Sequence, residues 1–295
     1  MQQSRGDRAF EEIRIHVHDG LEIYGRRYPA PGSRRRPLLC LSGLTRNSRD
    51  FHDLAIALTG SGETSRAVFT MDVRGRGESE FAGDWRQYAV PVEMLDVQDF
   101  MAAQQLHGAA VLGTSRGGLI AMVLAAAQPS LVGAVILNDV GPRIEREGLV
   151  RLQGFVGGRR VPVSWEAAGA LLAEAEGPFF PELGPEDWRR LARQRFNEKN
   201  ERPAAGYDPA LARTFDVLED GPIPELWGPF DALAALPCLV IRGELSDLLS
   251  ETTVAEMCAR HPNCRSHTVP RQGHAPLLAD AVSTEAIAEF LAECD

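Results

Sequence analysis

Ser115 is the residue with the clearest chemical promise, set in the pentapeptide Gly113-Thr114-Ser115-Arg116-Gly117. A serine hydroxyl can attack a carbonyl carbon only when a base within hydrogen-bond reach removes its proton. Ser115 falls between an apolar run, Ala109 to Leu112, and a helical segment, Arg116 to Ala127. A G-x-S-x-G joining a strand to a helix is a nucleophile elbow, whose tight turn holds the hydroxyl clear of the backbone. Gly113 and Gly117 remove side chains that would collide across that turn. The pentapeptide alone is a weak signal; its strand–turn–helix setting makes it strong.

The base comes next. Of seven histidines, His274 is best placed. It follows the last predicted strand, in Gly273-His274-Ala275-Pro276, and precedes a final helix. In a doubly wound sheet such a loop lies at the C-terminal edge, where ligands bind. His16 and His18 lie on an edge strand, His107 and His261 read as exposed, and His267 points off the final strand. His52 is the reserve. An imidazole base needs a carboxylate to fix its tautomer and stabilise the imidazolium. Asp247, after the predicted strand Leu239 to Ile241, is the expected acid. Glu244 competes from the same loop. Asp139 also follows a strand, but Asn138-Asp139-Val140-Gly141-Pro142 reads better as a turn. The expected oxyanion donors are the backbone N–H groups of Arg116, just after the nucleophile, and of Leu44, in Ser42-Gly43-Leu44-Thr45.

Elements that could position these groups alternate along the chain. Glu12 to His18 and Leu21 to Tyr28 read as a hairpin across Asp19-Gly20. Apolar runs at 37–41, 67–71, 109–112, 131–137, 239–241 and 265–269 read as buried strands. Helical segments at 50–58, 91–105, 116–127, 252–260 and 280–292 separate them. This alternation predicts an α/β fold: a mostly parallel sheet with helices on both faces. Residues 143–228 break the rhythm, with helix candidates at 165–175, 185–197 and 209–218 and no convincing strand. They read as a helical cap inserted into a core of residues 1–142 and 229–295. Phe155, Trp165, Phe179, Phe180, Trp188 and Trp227 give that cap apolar surface, most of which a small cap core would consume.

Composition sets the outer limits. The 295 residues suffice for one α/β domain with an insertion, and 44% apolar with 24% charged content is ordinary for a globular protein. A net charge of −10 argues against nucleic acid, which needs a basic surface. Five cysteines without a C-x-x-C pair read as free thiols. Residues 1–12 lack an apolar leader-like core, and no apolar stretch reaches the roughly 18 residues that span a bilayer. A cytoplasmic protein with a small-molecule substrate and no membrane partner is expected. No metal site is expected, because the histidines and acids lack ligand spacing. Nor is a cofactor, since a loop rather than a helix follows Gly75 and Gly77. The oligomeric state stays open, a homodimer included.

Together with Asp72-Val73-Arg74-Gly75-Arg76-Gly77-Glu78-Ser79, which resembles a D-x-R-G-x-G-x-S turn, the elbow makes nearly the whole chain resemble the α/β-hydrolase superfamily. The resemblance implies an eight-stranded, mostly parallel sheet with a cap after the sixth strand. Ser115, Asp247 and His274 stand in the superfamily's chain order. Many members carry His-Gly at the oxyanion loop, where this chain has Ser42-Gly43. The stretches 43–51 and 246–250 are similar to a bacterial subgroup of capped serine hydrolases.

A serine at the elbow excludes the aspartate-nucleophile chemistries of the fold and leaves acyl transfer to water from an ester, lactone or thioester. The triad also serves carbon–carbon bond hydrolases and cofactor-free perhydrolases, and some non-catalytic binding proteins share the fold. Arg116, where relatives commonly carry a neutral residue, either meets an acidic substrate or forms a salt bridge behind the site; the salt bridge is the favoured reading.

Overall fold

The central strands of the sheet are buried along their whole length, and only the edge strand at residues 11–16 alternates. In the computed structural model, residues 9–60, 62, 64–156, 161–218 and 221–295 are described. The chain enters through β1 (Glu11–His16), β2 (Glu22–Tyr28) and β3 (Leu38–Leu41). It continues through α1 (His52–Thr59), β4 (Val68–Met71), α2 (Val90–Ala103), β5 (Ala109–Thr114), α3 (Arg116–Ala127) and β6 (Val132–Asn138). An insertion then carries α4 (Arg146–Phe155), α5 (Trp165–Glu176), α6 (Pro185–Arg195), β7 (Asn197–Lys199) and β8 (Arg202–Ala204). The short helix α7 (Trp227–Asp231) leads back to β9 (Cys238–Gly243), α8 (Glu251–Arg260), β10 (Cys264–Val269) and α9 (Ala281–Glu293).

Eight strands form one sheet in the order β1-β2-β4-β3-β5-β6-β9-β10. β1 and β2 pair antiparallel, β2 joins β4 antiparallel, and the remaining neighbours are parallel. Leu39, Leu41 and Val111 point to the face covered by α2, α3 and α8, while Leu38, Cys40 and Leu112 point to the face covered by α1 and α9. Both faces are buried, which is why these strands read as continuous apolar runs.

Three features of the insertion differ from the sequence reading. β7 and β8 form a short ribbon in a stretch expected to hold no strand. Its loop, Asn200-Glu201, has φ of 52° and 62°, as a two-residue type I′ hairpin turn requires. Three-residue strands are too short to show a period. Helix α4 was also not expected: Gly148 and Gly154 dilute its helical signal. Residues 209–218 form a 3₁₀ helix rather than an α-helix. Phe180, Trp188 and Leu191 make a separate small core between α5 and α6, which accounts for two of the aromatic residues there. Among the described residues, no helix is long and apolar enough to cross a membrane.

The elbow depends on close backbone contact. A Cβ at Gly117 would lie 2.2 Å from the Leu41 carbonyl oxygen, and one at Gly113 would lie 2.4 Å from the Gly117 carbonyl. Neither backbone group can move aside without parting α3 from the strands β3 and β5 beneath it. Gly117→Ala should therefore destabilise the fold by about 2 kcal/mol or more, the scale of overpacking. Gly154→Ala is the opposite case. Nothing lies within 4 Å of a Cβ there, so relief of backbone entropy in α4 should stabilise by about 0.5–1 kcal/mol. Urea unfolding midpoints moving in opposite directions would bear this out; a neutral Gly117→Ala would refute the close approach.

Candidate active site

Ser115 caps β5 and starts α3 with φ 51° and ψ −114°. A non-glycine residue held at positive φ stores strain that the surrounding structure must overcome. Here Ser115 N–H donates to Asn138 O at 2.9 Å, and the first α3 amides bond back to Ser115 O. The side chain is thereby presented to the loop after β10. His274 Nε2 lies 2.9 Å from Ser115 Oγ. The His274 Nδ1 edge lies 2.8 Å from Asp139 Oδ2. A carboxylate can only accept, so the ring proton is on Nδ1, and Nε2 is left to accept from the serine hydroxyl. His274 is 7% exposed and Asp139 is fully buried, so the relay is screened from water.

The acid facing His274 is therefore Asp139, not Asp247. Asp139 follows β6 directly and takes φ 55°, a left-handed conformation that aspartate tolerates better than most residues. That twist turns its carboxylate to Gly243 N at 2.8 Å, Ser246 Oγ at 2.6 Å and the imidazole. Asp247 instead receives two hydrogen bonds from Arg151 on α4, at 2.5 and 2.7 Å. Burial opposes the Asp247 charge, but the guanidinium pair outweighs it and holds its carboxyl below the usual range. Asp247 thus ties the insertion to the core. The α4 backbone packs on the same loop, where a Cβ at Gly148 would lie 2.6 Å from Asp247 O. Glu244, the other competitor, accepts from Arg271 N.

The loop after β3 runs beside the nucleophile. A Cβ at Gly43 would lie 3.7 Å from Ser115 Cβ. Gly43 O accepts from Arg46 N, so the Leu44 N–H, trans across the same planar peptide, points the opposite way. The D-x-R-G-x-G-x-S turn holds this loop. Asp72, fully buried, accepts from Ser48 N at 2.6 Å and Glu78 N at 2.8 Å. Burial raises its pKa, against the pull of those donors. Arg76 Nε donates to Leu44 O at 2.8 Å.

Arg76 leads to a group that sequence reasoning missed. Glu93 on α2 is fully buried and bridges two arginines: Oε1 accepts from Arg76 at 2.5 Å, and Oε2 from Arg116 at 2.6 Å. Arg116 also donates to Tyr88 O. The Arg116 side chain thus forms a salt bridge behind the site, as favoured from its sequence position. Burial works against the Glu93 charge, but the Coulombic pull of Arg116 and Arg76 prevails and keeps its pKa below the ordinary value. Only the sequence pairing of an uncommon arginine after the nucleophile with a glutamate in an apolar helix hinted at this.

His52 and His261 are engaged elsewhere. His52 lies 3.0 Å from Tyr28 OH. His261, expected to be exposed, is 2% exposed and bonds Leu233 O. Among the described residues, no group of three or more His, Cys, Asp or Glu is placed to hold a metal ion.

Residues 36–281 match the profile of the α/β hydrolase fold family. A 3-hydroxybutyrate-oligomer hydrolase of Cupriavidus necator is 35% identical over 271 residues, covering 86% of this chain and 88% of its own. An esterase of Mycobacterium tuberculosis is 28% identical, over 76% of this chain and 72% of its own. The crystal structure of an α/β hydrolase from Novosphingobium aromaticivorans superposes with a TM-score of 0.89 at 39% identity, covering 98% of this chain and all of that one.

Proposed function

Because the chain belongs to the α/β-hydrolase family and is a serine hydrolase of that fold, we propose that it cleaves carboxylic esters of short hydroxy acids through a Ser115–His274–Asp139 relay. The supporting observation is the continuous contact from Ser115 Oγ through the imidazole to a buried carboxylate, at 2.9 and 2.8 Å. The substrate class follows from the relative named for 3-hydroxybutyrate oligomers, which aligns with most of both chains.

In this mechanism His274 Nε2 takes the Ser115 proton as Oγ attacks the ester carbonyl. Asp139 stabilises the resulting imidazolium. Backbone N–H groups of Arg116 and Leu44 receive the negative charge on the carbonyl oxygen. Collapse expels the alcohol, which takes the proton from His274 and leaves acyl-Ser115. Water, deprotonated by the same imidazole, then releases the acid and restores the serine. Residues 143–228 serve as a cap, fastened by Arg151 to Asp247 and by Phe179 against Gly273, where a Cβ would lie 2.6 Å from the Phe179 Cβ.

Purified protein should turn over p-nitrophenyl butyrate and the linear 3-hydroxybutyrate dimer. Ser115→Ala should reduce kcat on the order of 10⁶-fold. Absence of Ser115-dependent turnover, together with no labelling by a fluorophosphonate, would refute the reading.

A further inference from the structure

Beside the nucleophile, the loop after β3 and the cap helices bury a cluster of charges that the relay does not use. Arg46 stands four residues past Ser42, and a Cβ at Gly43 would lie 3.9 Å from Arg46 Cδ and 3.7 Å from Ser115 Cβ. Its side chain is 14% exposed, yet its nearest carboxylates are distant: Asp50 at 3.6 Å and Glu176 at 3.9 Å. Neither is a hydrogen bond. Glu176 is committed to Arg195, whose side chain is 8% exposed. Arg195 Nε and NH2, Glu176 Oε2 and Asp50 Oδ1 are buried with no hydrogen-bond partner among the described residues.

Buried guanidinium donors left unspent are costly and uncommon. Arg46 and Asp50 line a cleft together with Thr114, Gln194, Pro276 and Leu277. Thr114 precedes the nucleophile and Pro276 follows His274 by two residues, so the cleft adjoins the reacting centre. Arg195 keeps two buried donors unspent, and Arg46 has its nearest carboxylates at 3.6 and 3.9 Å, beyond hydrogen-bond distance. Burial, and repulsion from Arg195, disfavour the charge on Arg46, a penalty that a bound anion would relieve.

We infer that Arg46, backed by Arg195, forms a subsite for a free carboxylate on the substrate, so that the enzyme prefers esters of hydroxy acids whose acid end is unesterified. The inference rests on the ester-hydrolase reading and narrows it. A planar carboxylate fits the fork of a guanidinium, which a hydroxyl or methyl ester does not.

The full chain carrying Ser115→Ala allows binding to be read without turnover. Calorimetric titration with the linear 3-hydroxybutyrate dimer and with its methyl ester should show the free acid binding at least tenfold more tightly. Arg46→Gln in the same background should abolish that preference, and Arg46→Lys should keep part of it, which separates loss of charge from loss of fold. Equal affinities for acid and ester, no measurable binding of either, or a preference that survives Arg46→Gln would overturn the subsite. Turnover by the unmutated protein tests the hydrolase reading separately, so either can fail alone.

Discussion

Asp139→Asn should lower kcat by about 10⁴-fold with little change in KM, whereas Asp247→Asn should lower it by less than about tenfold. The first effect follows from the proton on His274. An asparagine amide at this position can turn its NH₂ toward Nδ1, which forces the ring proton onto Nε2. Nε2 then cannot accept from Ser115, whose oxygen it faces at 2.9 Å. Asparagine also has one acceptor oxygen where the carboxylate serves Gly243 N, Ser246 Oγ and the imidazole. Because the loss arises as the imidazolium forms, it belongs to the transition state and shows in kcat. Asp247→Asn weakens only the Arg151 pair, so its main effect should be on how firmly α4 is docked. Steady-state kinetics of the two variants on one ester decide the matter. A larger loss at Asp247 would reverse the assignment.

This pair of variants also marks where sequence stops being informative. Both aspartates follow an apolar strand, and both lie between Ser115 and His274 in the chain, so order alone cannot choose between them. The choice depends on a single backbone angle. At φ 55°, Asp139 is swung under the histidine loop, and no pattern of residue types predicts that twist. Its setting beside Gly141 and Pro142 is a bend in the structure, and that bend is what lets it face the base. The central strands were legible because both faces of the sheet are buried there, and the first two because the edge strand alternates ahead of the Asp19-Gly20 turn. Ser115 was legible because the elbow demands glycine at fixed offsets, and those contacts are real, as at Gly117 against Leu41. His261 was misjudged because a histidine before Pro262 in a polar stretch gives no sign that its ring fills a space beside Phe230. Charge clusters such as Arg46, Glu176 and Arg195 join distant parts of the chain, so local patterns cannot reveal them.

Glu93→Gln should destabilise the fold by about 3–5 kcal/mol and lower kcat by roughly 10- to 100-fold at nearly constant KM. Glu93 is a positioning residue: it touches no reacting atom, but it lies between the two segments assigned to the oxyanion hole. Through Arg76 it reaches Leu44 O, and through Arg116 it reaches the residue after the nucleophile. Glutamine would leave the buried Arg76 and the partly buried Arg116 guanidinium groups without their shared counter-charge and repelling one another. The stability term has a pH signature. The Glu93 pKa is depressed in the folded chain, so the unfolded chain binds the extra proton first as pH falls. Its contribution is therefore present above the unfolded value of about 4.3 and fades as pH drops through the lower folded one. Glu93→Gln should lose that part of the acid dependence. A merely structural role would lower stability and leave the kcat of the folded fraction unchanged. Adding Arg116→Met to Glu93→Gln should restore part of the stability, because one of the two opposed cations is gone. If the double variant is instead less stable than Glu93→Gln alone, repulsion between Arg76 and Arg116 is not what Glu93 suppresses.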